Sequence, residues 1–274
     1  MSRRPSRSVR VVASALAAGS LLTTAACSDD GAGDGSRASD VSASPLARKQ
    51  PSSSPSPALT EAGAQAALIT EADIEDDWTQ VKDTEAESWH DSLLIGTVDV
   101  SDFLTAKADA ADCQRLLDSL FDDDLLGRPS GASALRGFEQ GDSRLLYQVA
   151  AYDRTDPQDS LDWMATLPQK CDQFTATDNG EERTVQVIET SLPDVGDARE
   201  GLLVTVKGTA DDAPATLTLE VAAVRVGADA ITVTAGGLDG AEEDSVKEAL
   251  KTGTQRLKDV QAGKTPAASP SEIE

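Results

Sequence analysis

Between Leu145 and Val233 apolar residues return at every second position, in one segment after another. That alternation restricts the chain more than any other feature. Leu145, Tyr147, Val149 and Ala151 form one such set, and Val185 and Val187 a second. Leu202, Val204 and Val206 form a third, and Ile231 and Val233 another. Side chains of a strand alternate between its two faces, so a period of two describes strands with one face against a core. Short turn sequences separate the segments: Gln140-Gly141-Asp142-Ser143, Asp178-Asn179-Gly180-Glu181-Glu182 and Gly227-Ala228-Asp229. Such short connections can only join antiparallel neighbours. In the long run from Ala215 to Val226 the apolar parity changes: Leu217, Leu219 and Val221 on one face, Val224 and Val226 on the other. A bulge or bend near Ala222-Ala223 would reconcile them. Leu93 to Val100 alternates weakly and reads as one further strand.

Helical spacing brackets this run of strands. Cys113, Leu116, Leu117, Leu120 and Phe121 recur at helical spacing across Ala110 to Phe121, which puts Cys113 on a buried face. Asp156 suits an N-cap, Pro157 the first helical position and Asp159 the positive first turn; the helix should end before Pro168. Thr70 reads as the cap of a short helix with Asp73 in its first turn. Near the end, Asp239 and Glu242 have capping-box spacing. Val246, Ala249, Leu250, Gly253, Leu257 and Val260 then form a stripe. The expected class is α+β, an antiparallel sheet with helices packed on one face.

Arg3, Arg4, Arg7 and Arg10 precede an apolar stretch from Val11 to Leu22. At about a dozen residues it is shorter than the roughly 20 needed to span a bilayer. A basic start, a short apolar stretch and small residues at its end describe a secretory signal peptide. Leu22-Thr23-Thr24-Ala25-Ala26-Cys27 resembles a lipobox, which implies cleavage before Cys27 and a diacylglyceryl group on its thiol. Arg3-Arg4 lacks the rest of a twin-arginine motif, which favours the general secretory route. From Ser28 to Pro57 the chain is Ser, Asp, Gly, Ala and Pro with almost no large apolar residue. Such a segment cannot offset its ordering entropy and reads as a tether. The expected organisation is a signal peptide at 1–26 and a lipidated Cys27 with a flexible tether at 27–58. A folded domain at 59–262 and a disordered tail at 263–274 complete it. Two acyl chains with palmitate-type lipid would hold it on the outer face of the cell membrane.

The remaining cysteines are Cys113 and Cys171. An oxidising compartment makes a disulfide between them the expectation, with two buried free thiols as the alternative. Closing a loop of about 58 residues would stabilise the fold by roughly 4 kcal/mol.

Formal charge is −24, and loss of the four leader arginines takes the mature chain near −28. Such a chain repels nucleic acid and anionic polymers, so nucleic-acid binding is excluded as a role. A cationic partner, a divalent cation or a neutral ligand remains compatible. His90 is the one histidine, which leaves no HExxH zinc site; it reads as a surface imidazole. Gly127-Arg128-Pro129-Ser130-Gly131 has the wrong spacing for a nucleophile elbow. No phosphate or dinucleotide fingerprint is present, and no cofactor is expected. Asp122-Asp123-Asp124 could offer oxygens to Ca²⁺ but does not match an EF-hand; a solvated turn is the other reading.

Three segments carry a family resemblance. One is the opening Leu68-Ile69-Thr70-Glu71-Ala72-Asp73-Ile74. Another is the helix with Cys113, followed by strands and a helix ending near Cys171. The last is Ala223-Val224-Arg225-Val226-Gly227-Ala228-Asp229-Ala230-Ile231-Thr232-Val233 before a terminal amphipathic helix. Over about residues 59 to 262 this order resembles the PknH-like extracellular sensor domains of actinobacterial envelope proteins. These occur fused to transmembrane serine/threonine kinases and as free lipoproteins. The resemblance implies an antiparallel sheet with flanking helices, a groove and recognition of an extracellular ligand, and supplies no catalytic residues.

The functional expectation is a lipid-anchored, non-enzymatic protein that binds or senses a small or lipidic ligand in the envelope. The alternative is a module that docks another envelope protein. Labelling of cells with palmitate should tag the wild-type chain and not Cys27→Ser, which should appear in the medium; equal labelling would remove Cys27 as the anchor.

Overall fold

A computed structural model describes residues 58–74, 77–153 and 156–267. Cys27, the signal peptide and the tether lie outside the described residues. In chain order the elements are α1 (Glu61–Ala67), a 3-10 turn (Glu71–Asp73), β1 (Thr79–Gln80), α2 (Asp83–Ala86), β2 (Leu94–Ile95), β3 (Val98–Asp99), α3 (Ser101–Thr105), β4 (Lys107–Ala108) and α4 (Ala111–Asp118). Then follow β5 (Ser133–Gln140), β6 (Ser143–Ala151), α5 (Asp156–Lys170), β7 (Gln173–Asp178), β8 (Glu181–Glu189), β9 (Ala198–Ala210), β10 (Ala213–Val226), β11 (Asp229–Gly237) and α6 (Glu243–Gln261).

The alternating segments pair into one nine-stranded sheet in the order β1-β5-β6-β11-β10-β9-β8-β7-β4. Every neighbouring pair is antiparallel. The three turns fall where their residues foretell. Gly227 takes φ +68° between β10 and β11, with Val226 opposite Asp229. A two-residue hairpin loop needs that left-handed start, and glycine adopts it without a Cβ penalty. The expected α+β class with an antiparallel sheet is therefore what the chain adopts.

Helices pack on both faces of this sheet, not on one alone. On one face α1 and α6 cover Tyr147, Val149, Ala222, Val224, Ile231 and Val233. On the other, α4 and α5 cover Val185, Val187, Leu202, Val204, Leu217, Leu219 and Val221. Full burial of each such aliphatic side chain contributes about 1.5–3 kcal/mol.

This double cover explains the parity change in β10. Its pairing with β11 runs without a skipped residue from Thr218↔Gly237 to Val226↔Asp229, and the register to β9 is equally continuous. The expected bulge at Ala222-Ala223 is absent. The strand instead passes from a stretch covered on one face to a stretch covered on both. There Val221 and Ala223 meet the α5 side while Ala222 and Val224 meet the α6 side.

Local signals were overridden at three further places. Leu93 to Val100 is not one strand: Gly96 at φ +61° folds it into the β2–β3 hairpin, with Ile95 opposite Val98. The fifth helix does not stop before Pro168 but runs to Lys170. Proline there forgoes one backbone bond, yet Leu167 and Cys171 are fully buried and Cys171 N donates to Leu167 O at 2.7 Å. Packing and the bond at Cys171 hold the last turn. The capping box at Asp239 and Glu242 does not form, because the Glu242 carboxylate accepts from Ser143 Oγ on β6. The cap expected at Thr70, with Asp73 in the first turn, is present as a capping box: Asp73 Oδ2 accepts from Thr70 N at 2.8 Å. The stripe on α6 is buried as its spacing requires, and Gly253 in it leaves room for the Tyr147 hydroxyl, which any Cβ would overlap. Of the tail expected to be disordered, residues to 267 are described, and Ala267 O accepts from Arg256 Nη1 at 3.2 Å.

Glu220 on β10 is 1% exposed, with Thr190 Oγ1 at 3.4 Å from its carboxylate. Burial, and after it the nearby Glu243 carboxylate, pushes its pKa up to about 7 from 4.5. Between those two pH values the folded chain holds a proton that the unfolded chain has released. Stability from this group is therefore full below about pH 4.5, falls through the window and levels off above about 7. Glu220→Gln should flatten that fall. Denaturation at pH 5 and pH 8 should show the wild type losing on the order of 2–3 kcal/mol more than the variant.

Candidate functional site

The helix carrying Cys113 leads into a connection, residues 119–132, that is fastened from several sides. Cys113 and Cys171 form a disulfide with Cα atoms 5.6 Å apart, which ties α4 to the end of α5. Ser119 Oγ donates back to Leu116 O at 2.9 Å, and Leu120 and Phe121 turn inward, fully buried. Phe121 has φ +53°. A bulky residue in the left-handed region costs of order 1–3 kcal/mol, so its surroundings must hold it. Trp89 does so with an edge-to-face contact, ring centroids 5.8 Å apart. His90 adds a 2.9 Å bond between Nδ1 and Leu120 O. His90 is therefore half-buried and structural, where a surface imidazole was expected, because the neighbouring Trp89 draws it inward.

After Phe121 the three aspartates make a turn. Asp122 Oδ1 accepts from Asp123 N at 2.6 Å, and Gly127 N donates to Asp124 O at 2.6 Å. Gln148 on β6 reaches up from the sheet: its Nε2 donates to Asp123 O at 2.8 Å, and its Oε1 accepts from Thr232 Oγ1 at 3.1 Å. Ser160 Oγ on α5 donates to Leu126 O at 3.0 Å. The backbone of the turn is thus fastened to the sheet and to α5, while Asp123 and Asp124 are themselves exposed, as the solvated-turn reading has it.

Two hollows flank it. One, of about 200 Å³, lies between α2, the turn and the strands β5 and β6. Ala86, Phe121, Leu135 and Leu146 give it an apolar floor, and Glu87, Asp122 and Asp123 form its rim. The other, of about 380 Å³, is more open and lies along α4, lined by Gln114, Arg115, Asp118, Ser119 and Asp124 among others. Arg115 is held there over the Trp163 ring, its guanidinium carbon 3.8 Å from the centroid. Trp163 Nε1 and Lys170 Nζ both bond Asp112, at 3.1 and 2.7 Å.

Electrostatics separate the aspartates. Lys170 holds the Asp112 carboxyl below the usual range. Desolvation and then the adjacent Asp122 carboxylate raise Asp123; desolvation and then Asp122 raise Asp124, with Arg115 opposing. The Tyr152 hydroxyl, which lines neither hollow, is buried without a hydrogen-bond partner, its ionisation disfavoured first by burial and then by Asp123 and Asp124. Among the described residues no group of three or more His, Cys, Asp or Glu gathers to hold a metal ion, so Asp122 to Asp124 do not converge on a Ca²⁺ site.

Of the site residues read from the sequence, Cys113 and Cys171 are brought together, and Cys27 lies outside the described residues. The cavity itself went unread. Its floor comes from residues as distant in sequence as Ala86 and Leu146, which only the sheet brings together. The one local signal was three acids directly after a buried Phe. Among the described residues no helix is long and apolar enough to cross a membrane.

No family model matches the chain, and no curated protein matches it by sequence. It is similar to the crystal structure of the extracellular domain of PknH from Mycobacterium tuberculosis, at 12% identity and TM-score 0.40, over 76% of this chain and 100% of that one. It is also similar to an X-ray structure of an uncharacterized protein, the Rv0999 ortholog from Mycobacterium smegmatis. There identity is 15% and TM-score 0.35, over 75% of this chain and 97% of that one. At these TM-scores neither likeness bears on the cavity, which stands on its own geometry.

Replacing Cys113 and Cys171 together by Ser should cost about 4 kcal/mol of unfolding free energy. It should also speed amide exchange in residues 119–132 more than in β9 and β10. Uniform loss of protection would show that the bond does not specifically hold the connection.

Proposed function

We propose that this chain is an extracytoplasmic binding protein, anchored by lipid on Cys27 at the outer face of the cell membrane. It takes a small ligand into the cavity beside Asp122 and Asp123. The observation that carries the proposal is that cavity. Its wall includes a residue, Phe121, held at φ +53° by packing around it. Strain of this kind persists only where the surroundings over-determine it, and it gathers at ligand sites.

The signal peptide, the lipobox and the tether support the anchor, and the resemblance to extracellular sensor domains suits a binding role. Size narrows the ligand. A volume of about 200 Å³ compares with the about 150 Å³ engineered cavity that admits benzene. A single ring or a short chain fits within it, whereas an acyl chain of a membrane lipid does not. Binding without chemistry suits a site whose polar groups all stand along its mouth while its floor is apolar.

The test is retention. The domain is secreted without Cys27, purified gently and weighed under native and denaturing conditions, beside a variant whose cavity is filled by Leu135→Trp. The wild type should carry a mass that denaturation releases and that the variant lacks. The same retained mass in both would place binding elsewhere; no retained mass in either would count against a tightly held ligand.

A further inference from the structure

We propose that the connection between β8 and β9, residues 190–197, is a pH-sensitive strap: it lies closed over the sheet while the Glu220 carboxyl is protonated and loosens when that carboxyl ionises. The strap stands apart from the ligand cavity and does not depend on it. It turns back over the sheet at Gly201 of β9. A Cβ there would come within 2.8 Å of Leu192 Cγ and Thr190 Cγ2, so the strap rests on bare backbone. Thr190 N donates to Gly201 O at 3.0 Å, and at the far end Asp197 N donates to Arg225 O at 2.8 Å. Neighbouring strands lie about 4.8 Å apart. With no side chain at 201, Thr190 reaches past β9 to β10, where its Oγ1 stands 3.4 Å from Glu220 Oε1. Glu220 is 1% exposed, and among the described residues this long bond is the only side-chain hydrogen bond of its carboxyl.

The groups that face Glu220 set the sense of the switch. On β9 and β11 the residues opposite are Leu203 and Ala235, which carry no charge. From α6 come Glu243, Asp244 and Lys247. The two acids oppose a further negative charge, and the lysine, which favours one, is bonded to Glu243. From the strap comes the Thr190 hydroxyl. The strap's own acids are held elsewhere: Asp194 lies 2.8 Å from Arg199, and Asp197 accepts from Gly227 N at 2.7 Å. A carboxylate in such a place costs desolvation and repulsion that one long bond does not offset. Water relieves both once the strap lifts. Burial, and after it Glu243, accordingly pushes the Glu220 pKa up to about 7. Closure of the strap is therefore full below about pH 4.5, weakens from there to about 7 and levels off above. Leu192 and Val195 are only half-buried, so lifting the strap exposes little of the core. Thr190, Ser191 and Leu192 also wall a hollow of about 250 Å³ beside Arg199 and Glu200, and release of the strap reshapes it.

The experiment is amide exchange on the intact chain across a series from about pH 5 to about pH 8, with rates corrected for the intrinsic pH dependence of the reaction. The same series is run on Glu220→Gln and on Glu243→Gln. In the wild type, protection of the Thr190 and Asp197 amides should fall at least about tenfold over the series, while that of the β2–β3 hairpin should not. Glu220→Gln should keep the strap's protection level. Glu243→Gln should move the fall to lower pH, because one repelling charge is gone and Lys247 is released to Glu220. If the strap keeps its protection while β10 loses its own, Glu220 ionises only on global unfolding and the switch is overturned. A loss confined to the first turn of α6, no loss anywhere, or an equal fall in Glu220→Gln overturns it as well.

Discussion

The strands β6, β11 and β10 present side chains to two helical layers at once, and the positions of the other elements follow from that. Every residue of β11 is buried. Its hydrogen bonds to β6 and β10 leave no edge, and its two faces supply both cores. A sheet centre in this state needs an apolar or internally bonded side chain at nearly every position. Two of the polar exceptions are satisfied together: Thr232 bonds Gln148 across the ladder, and Gln148 in turn bonds Asp123 O. Buried polar chains of this kind hold register because a slip of one residue would strand every member. The same chain carries the sheet's rigidity up to the turn that rims the cavity.

The helices divide the work between the two faces. The sixth helix closes one core with its stripe, and its glycine admits the Tyr147 hydroxyl. On the other face the disulfide joins α4 to the end of α5, so the connection after α4 starts from a fixed point. Phe121 can then be held in the left-handed region against Trp89, with the cost carried by the packing beneath. The cavity adds to this rigid frame a mixed lining, with apolar side chains beside the Glu87, Asp122 and Asp123 carboxylates. Most of the chain's excess acid is spread over the solvated surface, where it serves solubility.

Some elements were legible because their signals are local. Period-two runs with glycine turns determined the strands, the hairpins and the antiparallel class. Helical spacing determined α4, α5 and the stripe on α6, and the count of cysteines together with an export signal pointed to the Cys113–Cys171 bond. Each is decided by residues close in sequence or by arithmetic over the whole chain. The lipid anchor proposed at Cys27 rests on the same kind of evidence, a linear signal in the sequence.

Only the tertiary structure decided the rest, because the deciding partner lies far away in sequence. The parity change at Ala222-Ala223 reads as a bulge until a second helical layer is seen to bury the other face. Pro168 reads as a stop until Cys171 is found pinned to Cys113. Glu242 reads as half of a cap until Ser143 is found beside it. Likewise the triplet Asp122 to Asp124 is one more acidic turn in a chain full of acids. It becomes the rim of a cavity when Leu135, Leu146 and Ala86 gather beneath it, and no pattern along the chain records that they do.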